Sequence, residues 1–251
     1  VIYFNYRGVL GGQLSALYNY LDRSNTAASQ ATGGGGDDSF STIGARQAGQ
    51  LFGLDYRGEF YYQWGRADRT ANANSASIAN QQTMNAYMFG VRVGKTFQNV
   101  MFKPGITLWY DYLSGTTDEE RRKGEWGSFN TLFDTGHKYY GLQDNFLGVG
   151  FGGATGTRGL GLQDLAVKFK LNPMPGWTLN LAAHAFATAE SAQANTVVAG
   201  FGSASGGGVA PSENGPYLGN EFDLTLVNKY NANTKVMIGF SNFNGTQTFR
   251  N

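Results

Sequence analysis

The side chains that could do chemistry in this sequence are charged groups that recur at every second position within otherwise apolar runs. Arg57 and Glu59 show the pattern, because they alternate with Phe60 and Tyr62. Such a period of two is typical of a β-strand whose two faces meet different surroundings. The charged set, with one histidine in the same kind of position, comprises Arg46, Arg57, Glu59, Arg92, Lys103, Asp111, Asp164, Lys168, Lys170, His184, Glu221, Asp223 and Lys229.

These charges suggest a function in solute passage rather than in bond making. A row of basic groups along a narrow, water-filled passage attracts anions and replaces part of their hydration shell. The set is mixed in sign, so the opposite charges could instead pair across neighbouring strands and only fill the interior. The sequence leaves both interpretations open, and it marks His184 as an interior hydrogen-bonding group.

A second candidate is the stretch 128–144, which reads SFNTLFDTGHKYYGLQD. It is too polar and too irregular to be a strand, although alternating strands flank it on both sides. We interpret the connection 114–161 as one that folds over, or into, the mouth of a β-barrel. If it enters, four residues come close to a constriction; if it does not, they lie over the rim. These residues are His137, Lys138, Tyr139 and Tyr140.

Other chemistries find little support. The chain has no cysteine and only two histidines, and no strand offers a serine, a histidine and an orienting partner together, so we expect no catalytic site and no metal site. A net charge of +1 argues against nucleic-acid binding. The segment 148–153 matches G-x-G-x-x-G, but no strand–helix unit surrounds it, and no cofactor is expected.

The elements that position the charges are strands joined by connections of alternating length. Long polar connections at 23–41, 68–82, 114–161 and 191–216 alternate with short ones near 52, 96–99, 172–176 and 231–234. If the strands are antiparallel, all long connections fall at one end. This asymmetry is typical of bacterial outer-membrane barrels, which have long extracellular loops and short periplasmic turns.

Composition favours the same fold class. Charged residues make up only 15 % of the chain and aromatic residues 14 %, and no run of about 18 apolar residues indicates a transmembrane helix. We predict an all-β protein: an antiparallel transmembrane β-barrel of the outer-membrane type, with residues 1–251 forming one domain. Ten or eleven strands are expected, as part of a larger barrel that has further strands on the N-terminal side.

Four stretches resemble the alginate-export family of outer-membrane barrels. The strand GLDYRGEFYYQWG at 53–65 resembles one family strand, and YDYLSG at 110–115 looks like another. The segments FNTLF and TGHKYYG within 129–141 are similar to the family's irregular segment, and LGNEFDL at 218–224 resembles a later strand. The resemblance covers about 42–243, with the four pieces in the family's order.

This resemblance implies a barrel of up to about eighteen strands that passes an anionic uronate polymer across the bacterial outer membrane. We therefore expect a channel for passive movement of anionic or polar solutes, including uronate oligo- or polysaccharide, with membrane lipid around it. The alternative is a plugged structural barrel whose long loops bind a surface or periplasmic protein. Neither hypothesis involves an enzyme.

Overall fold

A computed structural model of the chain describes residues 1–23, 38–68, 81–132, 136–146, 157, 159–191 and 215–246. These residues form one antiparallel sheet of eleven strands and one short helix. The elements are β1 (Ile2–Val9), β2 (Gly12–Arg23), β3 (Asp38–Leu51), β4 (Leu54–Asp68), β5 (Gln81–Thr96), β6 (Gly105–Leu113), α1 (Asp118–Lys123), β7 (Glu125–Trp126), β8 (Leu162–Leu171), β9 (Trp177–Ala187), β10 (Tyr217–Lys229) and β11 (Lys235–Gly245).

The strands pair in chain order from β1 to β11, except that β7 lies off this path and pairs in parallel with β5. Every other pair is antiparallel, as consecutive strands joined by direct connections must be. Within the described residues β1 and β11 each pair with one strand only, so the sheet is not closed. The all-β, antiparallel part of the prediction is confirmed.

The short connections are tight turns. Leu10–Gly11 and Phe52–Gly53 have positive φ at both residues (47° and 70°, 52° and 74°), which is the backbone of the two-residue hairpin turn that matches the twist of the flanking strands. Since the strands alternate in direction, these turns and those at 97–104, 172–176 and 230–234 lie at one edge of the sheet. The strand ends that the long connections join lie at the other edge: Arg23, Asp38, Asp68, Gln81, Leu113, Leu162, Ala187 and Tyr217.

The two faces of the sheet differ as the alternation predicts. The outer face carries aromatic and aliphatic side chains that remain exposed, among them Phe60 (52 %), Tyr62 (37 %) and Trp64 (38 %). The inner face is the one against which residues 126–132 and 136–146, here named the inserted segment, pack. Among the described side chains, charges on the outer face occur only near strand ends, at Asp22, Arg66 and Lys95.

Aromatic side chains of the outer face pack against one another, both along one strand, as Tyr62 and Trp64 do on β4, and between neighbouring strands, as Phe89 of β5 and Tyr112 of β6 do. The Tyr62 and Trp64 rings stack with centroids 5.8 Å apart, and Phe89 stacks on Tyr112 at 5.2 Å. Offset stacking of this kind adds to the stability of adjacent strands beyond simple burial. Both pairs lie in the half of the sheet nearer the long connections.

Near the long connections the inner face is apolar. Strand residues such as Phe40, Met84 and Phe186 are almost completely buried there beneath Trp126 and Phe146 of the inserted segment. Phe146 packs on Phe186 with ring centroids 4.5 Å apart. This apolar cluster is the hydrophobic core of the described chain, and it fixes the inserted segment above the charged half of the same face.

The boundaries of three strands differ from the sequence-based expectation. Lys103 was predicted to point inward from a strand, but it lies exposed in the turn 97–104, with φ of 43°. Pro104 explains the difference, because proline has no amide hydrogen to donate to a strand ladder, and β6 begins after it. Strand β3 is longer at both ends than expected, and β9 ends at Ala187 rather than at Glu190.

Candidate functional site

The charged half of the inner face contains a ladder of ion pairs that crosses three strands. Arg57 Nη2 lies 2.6 Å from Glu59 Oε2 on the same strand. Arg92 Nη2 lies 3.5 Å from Glu59 Oε1 and 3.3 Å from Asp111 Oδ2. The Glu59 and Asp111 side chains are only 5 % and 2 % exposed, so their charges need these partners. We name Arg57, Glu59, Arg92 and Asp111 the ion-pair ladder.

Gly90 gives the ladder its space. It is the residue opposite Glu59 on one side and opposite Asp111 on the other. A Cβ atom at this position would lie 2.5 Å from Asp111 Oδ1 and 3.2 Å from Glu59 Oε1. Only glycine therefore lets the two carboxylates share one cross-strand row with Arg92 between them.

Trp109 connects the ladder to the strands beyond it. Its indole Nε1–H donates to Asp111 Oδ2 over 2.8 Å. The Arg92 guanidinium carbon lies 3.2 Å from the centre of the Trp109 ring, and Lys168 Nζ lies 3.9 Å from it. A tryptophan ring attracts cations at these distances, so Trp109 orders both basic side chains. The Tyr139 ring of the inserted segment meets Trp109 edge-on at 6.1 Å.

A second charged group surrounds His184 on β9. Its Nδ1 lies 2.8 Å from Asp164 Oδ1, and its Nε2 lies 3.9 Å from Asp223 Oδ2. The His184 and Asp164 side chains are 1 % and 0 % exposed. The imidazole also stacks on Phe186. The buried Asp164 carboxylate thus accepts a hydrogen bond from Nδ1–H of His184. This bond orients the imidazole ring so that Nε2 points toward Asp223.

Two anchors fasten the inserted segment to the inner face. At the first, the Gln63 side chain pairs with the backbone of Asn130: Asn130 N–H donates to Gln63 Oε1 and Gln63 Nε2–H donates to Asn130 O, both over 2.8 Å. At the second, Gln143 N–H donates to Glu221 Oε1 over 2.9 Å, and Leu142 N–H donates to Asp223 Oδ2 over 3.2 Å.

Between the anchors the segment is stiffened locally. His137 N–H donates to Asp144 Oδ1 over 2.7 Å, which closes the turn at 137–144. Tyr140 is buried, and its pKa lies well above the ordinary value, because burial and the negative charges of Asp111 and Asp164 disfavour tyrosinate. A neutral phenol therefore occupies this position at all physiological pH values.

A cavity of about 360 Å³ lies between the turn at 137–144 and strands β6 to β10. Lys138, Lys168 and Lys170 line it together with Thr107 and Asn180. In the described part of the chain no carboxylate lies within ion-pairing distance (4.0 Å) of these three lysines. Asp223 also lines the cavity, so the lining combines three lysines and one carboxylate with neutral hydrogen-bonding groups. Cations outnumber the carboxylate, which suits an anionic or polyhydroxylated molecule.

The comparison with protein families agrees with the sheet and its inserted segment. The family described as alginate export matches residues 1–251, the whole chain. The chain belongs to the alginate export family. A comparison with curated proteins finds no match.

In this alginate export family member most of the predicted inward residues share one face. The ladder residues, the His184 group and Lys168 lie on the inner face, and Lys168, Lys170, His184, Asp223, His137 and Lys138 all line the cavity. Arg46 is the cross-strand partner of Glu59 and lies half-buried on the same face. Two residues lie apart: Lys103 is in a turn, and Lys229 is exposed at the end of β10.

Several residues that organise this family member escaped the sequence analysis. Trp109 is not among the predicted site residues, although it touches Arg92, Lys168 and Asp111. Gln63, which anchors the inserted segment, is likewise absent from the predicted site residues. The signal for Gln63 was slight: an amide among charged residues of one strand face is able to donate and accept at once.

No group of three or more histidine, aspartate or glutamate side chains is placed to hold a metal ion anywhere among the described residues. The same residues contain no helix long and apolar enough to cross a bilayer.

Proposed function

We propose that the chain forms a β-barrel channel of the bacterial outer membrane through which anionic or polar solutes pass passively, with uronate oligo- or polysaccharide as the solute class. The observation that carries the proposal is the contrast between the two faces of one sheet. Exposed aromatic and aliphatic side chains cover the outer face, and almost all strand charges lie on the inner face. A wall between lipid and water needs this division.

The outer face suits hydrocarbon. Leu108, Leu165 and Phe222 expose 56 %, 55 % and 46 % of their surface in the middle of their strands. Such a surface is costly in water and favourable in lipid, at roughly 25 cal/mol per Å² of apolar area. Tyrosine and tryptophan rings near the long connections, and Trp177 at the opposite edge, would lie at the two membrane interfaces.

The inner face suits anions because its basic groups are not used equally. Arg57 and Arg92 are engaged by Glu59 and Asp111, so the ladder contributes little net attraction. Lys168 and Lys170 lack such partners within the described chain and line the cavity. We therefore attribute anion preference to Lys168 and Lys170, and we attribute the rigidity of the barrel wall to the ion-pair ladder.

Planar-bilayer recording with a salt gradient tests the channel. Wild-type protein should carry current with a reversal potential that indicates preference for chloride over potassium. The K168Q/K170Q variant should lower the anion-to-cation permeability ratio at least about twofold, because two unpaired charges are lost from the lining. K95Q is the matched control, since Lys95 is exposed on the outer face and should leave the ratio unchanged.

Cation preference in the wild-type protein, or a ratio unaffected by K168Q/K170Q, would contradict this assignment of the lysines. Adding uronate oligosaccharide should cause brief interruptions of the current in the wild-type protein and fewer in the double variant. Neutral oligosaccharide of the same length provides the comparison that separates charge from size.

The second candidate function is a plugged structural barrel whose long loops bind a surface or periplasmic protein. It is favoured by the two anchors, which hold the inserted segment firmly on the inner face. In that case the purified protein would carry no current at any voltage, and a partner would co-purify with it. Measurable current without a partner distinguishes the channel from this alternative.

A further inference from the structure

We propose that Glu221 and Asp223 form an acid-sensitive latch that holds residues 136–146 on the inner face, so that acidification releases the segment and widens the passage. This inference rests on the proposed channel function and adds a means of regulating it. It concerns the second anchor only. The first anchor, at Gln63 and Asn130, contains no group that titrates.

The latch is built from charge-assisted hydrogen bonds to backbone amides. Glu221 and Asp223 are two residues apart on β10, so both side chains point to the inner face. They accept from the N–H groups of Gln143 and Leu142. Ser241 on β11 adds a hydroxyl donor to Glu221 Oε1 over 3.1 Å. A charged acceptor makes a hydrogen bond roughly twice as strong as a neutral one.

Gly141 brings the segment close enough for these bonds. Its φ is +86°, which favours glycine, and a Cβ there would lie 2.3 Å from Glu221 Oε1. The segment backbone thus lies directly on the Glu221 carboxylate, with no side chain between them.

The two carboxylates differ from those of the ion-pair ladder because no arginine of the described chain lies within ion-pairing distance of them. Glu221 Oε2 and Asp223 Oδ1 are buried and have no hydrogen-bond partner among the residues that the structure describes. Within the described chain, the basic atom within 4.0 Å of this pair is His184 Nε2, 3.9 Å from Asp223 Oδ2. The two carboxylates are therefore adjacent like charges that repel each other, and the bonds to the segment act against that repulsion.

Other titratable groups around the latch have different roles. A positive charge on His184 would attract the Asp223 carboxylate at 3.9 Å, so it opposes release of the segment rather than causing it. The groups that face the latch from the surrounding elements are Asp164 and Lys168 on β8, His184 on β9, and His137, Lys138, Tyr140 and Asp144 on the inserted segment.

Proton uptake weakens the latch in a defined way. Between pH 7 and pH 4, the range in which protein carboxyl groups gain protons, each acceptor becomes neutral and its bond to the backbone amide loses the charge contribution. We expect the fraction of released segment to rise about tenfold over this range. The Gln63 anchor should hold residues 126–132 in place, so that only 136–146 moves.

The experiment measures segment position and current separately. Spin labels at K138C, on the inserted segment, and Q50C, at the exposed end of β3, report their distance by electron spin resonance; the chain has no other cysteine. The distance distribution should gain a second, shifted population as the pH falls from 7 to 4. The E221Q/D223N variant should show that population at pH 7 and should not respond to pH.

Bilayer recording of the unlabelled proteins should follow the same pattern, with a larger open fraction for wild type at pH 4 and for E221Q/D223N at pH 7. D55N is the control, because Asp55 is an exposed carboxylate on β4 that does not touch the segment. A distance that stays constant with pH, or that still responds in E221Q/D223N with a midpoint near pH 6.5 as for histidine, overturns the latch. A shifting distance without any current keeps the latch and removes the channel.

Discussion

Two pairs of carboxylate side chains on the inner face bind different kinds of partner. In the ion-pair ladder Glu59 and Asp111 bind the guanidinium groups of Arg57 and Arg92, which belong to the sheet itself. On β10 Glu221 and Asp223 bind backbone amides of the inserted segment instead. In the ion-pair ladder the charges of the sheet therefore neutralise one another. The β10 carboxylates instead hold the inserted segment on the sheet.

The ion-pair ladder should therefore affect the stability of the sheet, and the β10 carboxylates should affect the position of the inserted segment. Charge pairs within a sheet rigidify neighbouring strands, and a change there should disturb the wall. Carboxylates that bind a connecting segment should affect the position of that segment and leave the strands intact. Substitutions at the two regions should consequently give different kinds of response, and the following experiments use that contrast.

The largest effect is expected from E59A at the centre of the ladder. The substitution leaves Arg57 and Arg92 half-buried without their shared carboxylate, and breaking a buried pair in this way costs about 3–5 kcal/mol. We expect the urea midpoint for unfolding from detergent micelles to fall accordingly. E221A should lower it much less, because Glu221 has no arginine partner to leave uncompensated. Equal losses in the two variants would remove the distinction between the regions.

A smaller effect is expected from G90V, which tests the geometry of the ladder without removing a charge. The added side chain meets Asp111 and Glu59 and forces the carboxylates apart, at a cost of about 1–3 kcal/mol. G58V is the matched control, since Gly58 is on the adjacent strand and a Cβ there has no heavy atom within 4 Å. Thermal unfolding of both variants checks this; a G58V loss as large as that of G90V would contradict it.

The part of the structure that sequence reasoning predicts is the part that depends on local pattern. Alternation assigned Phe60 and Tyr62 to the outer face and Arg57 and Glu59 to the inner one, because neighbouring side chains of a strand must point in opposite directions. The prediction for Lys103 was wrong because it continued the alternation through Pro104. Proline has no amide hydrogen for strand pairing, and Lys103 lies in a turn.

The remainder depends on contacts that are distant in the chain. Gln63 and Asn130 are 67 residues apart, and nothing near either residue indicates the other. For that reason the sequence could not decide between a segment that lies over the rim and one that packs on the inner face. The apolar cluster was missed for a related reason: Phe40 and Met84 follow the same alternation as the charged residues, and only the covering Trp126 and Phe146 reveal a dry interior.

The most local effect is expected from Q63A, because it should be confined to the inserted segment. The substitution leaves the N–H and C=O of Asn130 without their partners beneath the apolar cluster, which costs about 1–3 kcal/mol for the segment. Hydrogen exchange followed by mass spectrometry should show faster exchange in 128–132 by roughly ten- to hundredfold, while peptides from β4 and β5 keep their protection.

Q50A is the control for this experiment, because Gln50 also makes a side-chain hydrogen bond, to Asp55, but on the exposed short-turn edge. Faster exchange across the whole sheet in Q63A would mean that the segment and the wall unfold together. Exchange limited to 128–132 would instead show that the segment is held by separate contacts. Only a separately held segment can move while the strands stay paired, so this result decides whether the carboxylates of β10 can act as a latch.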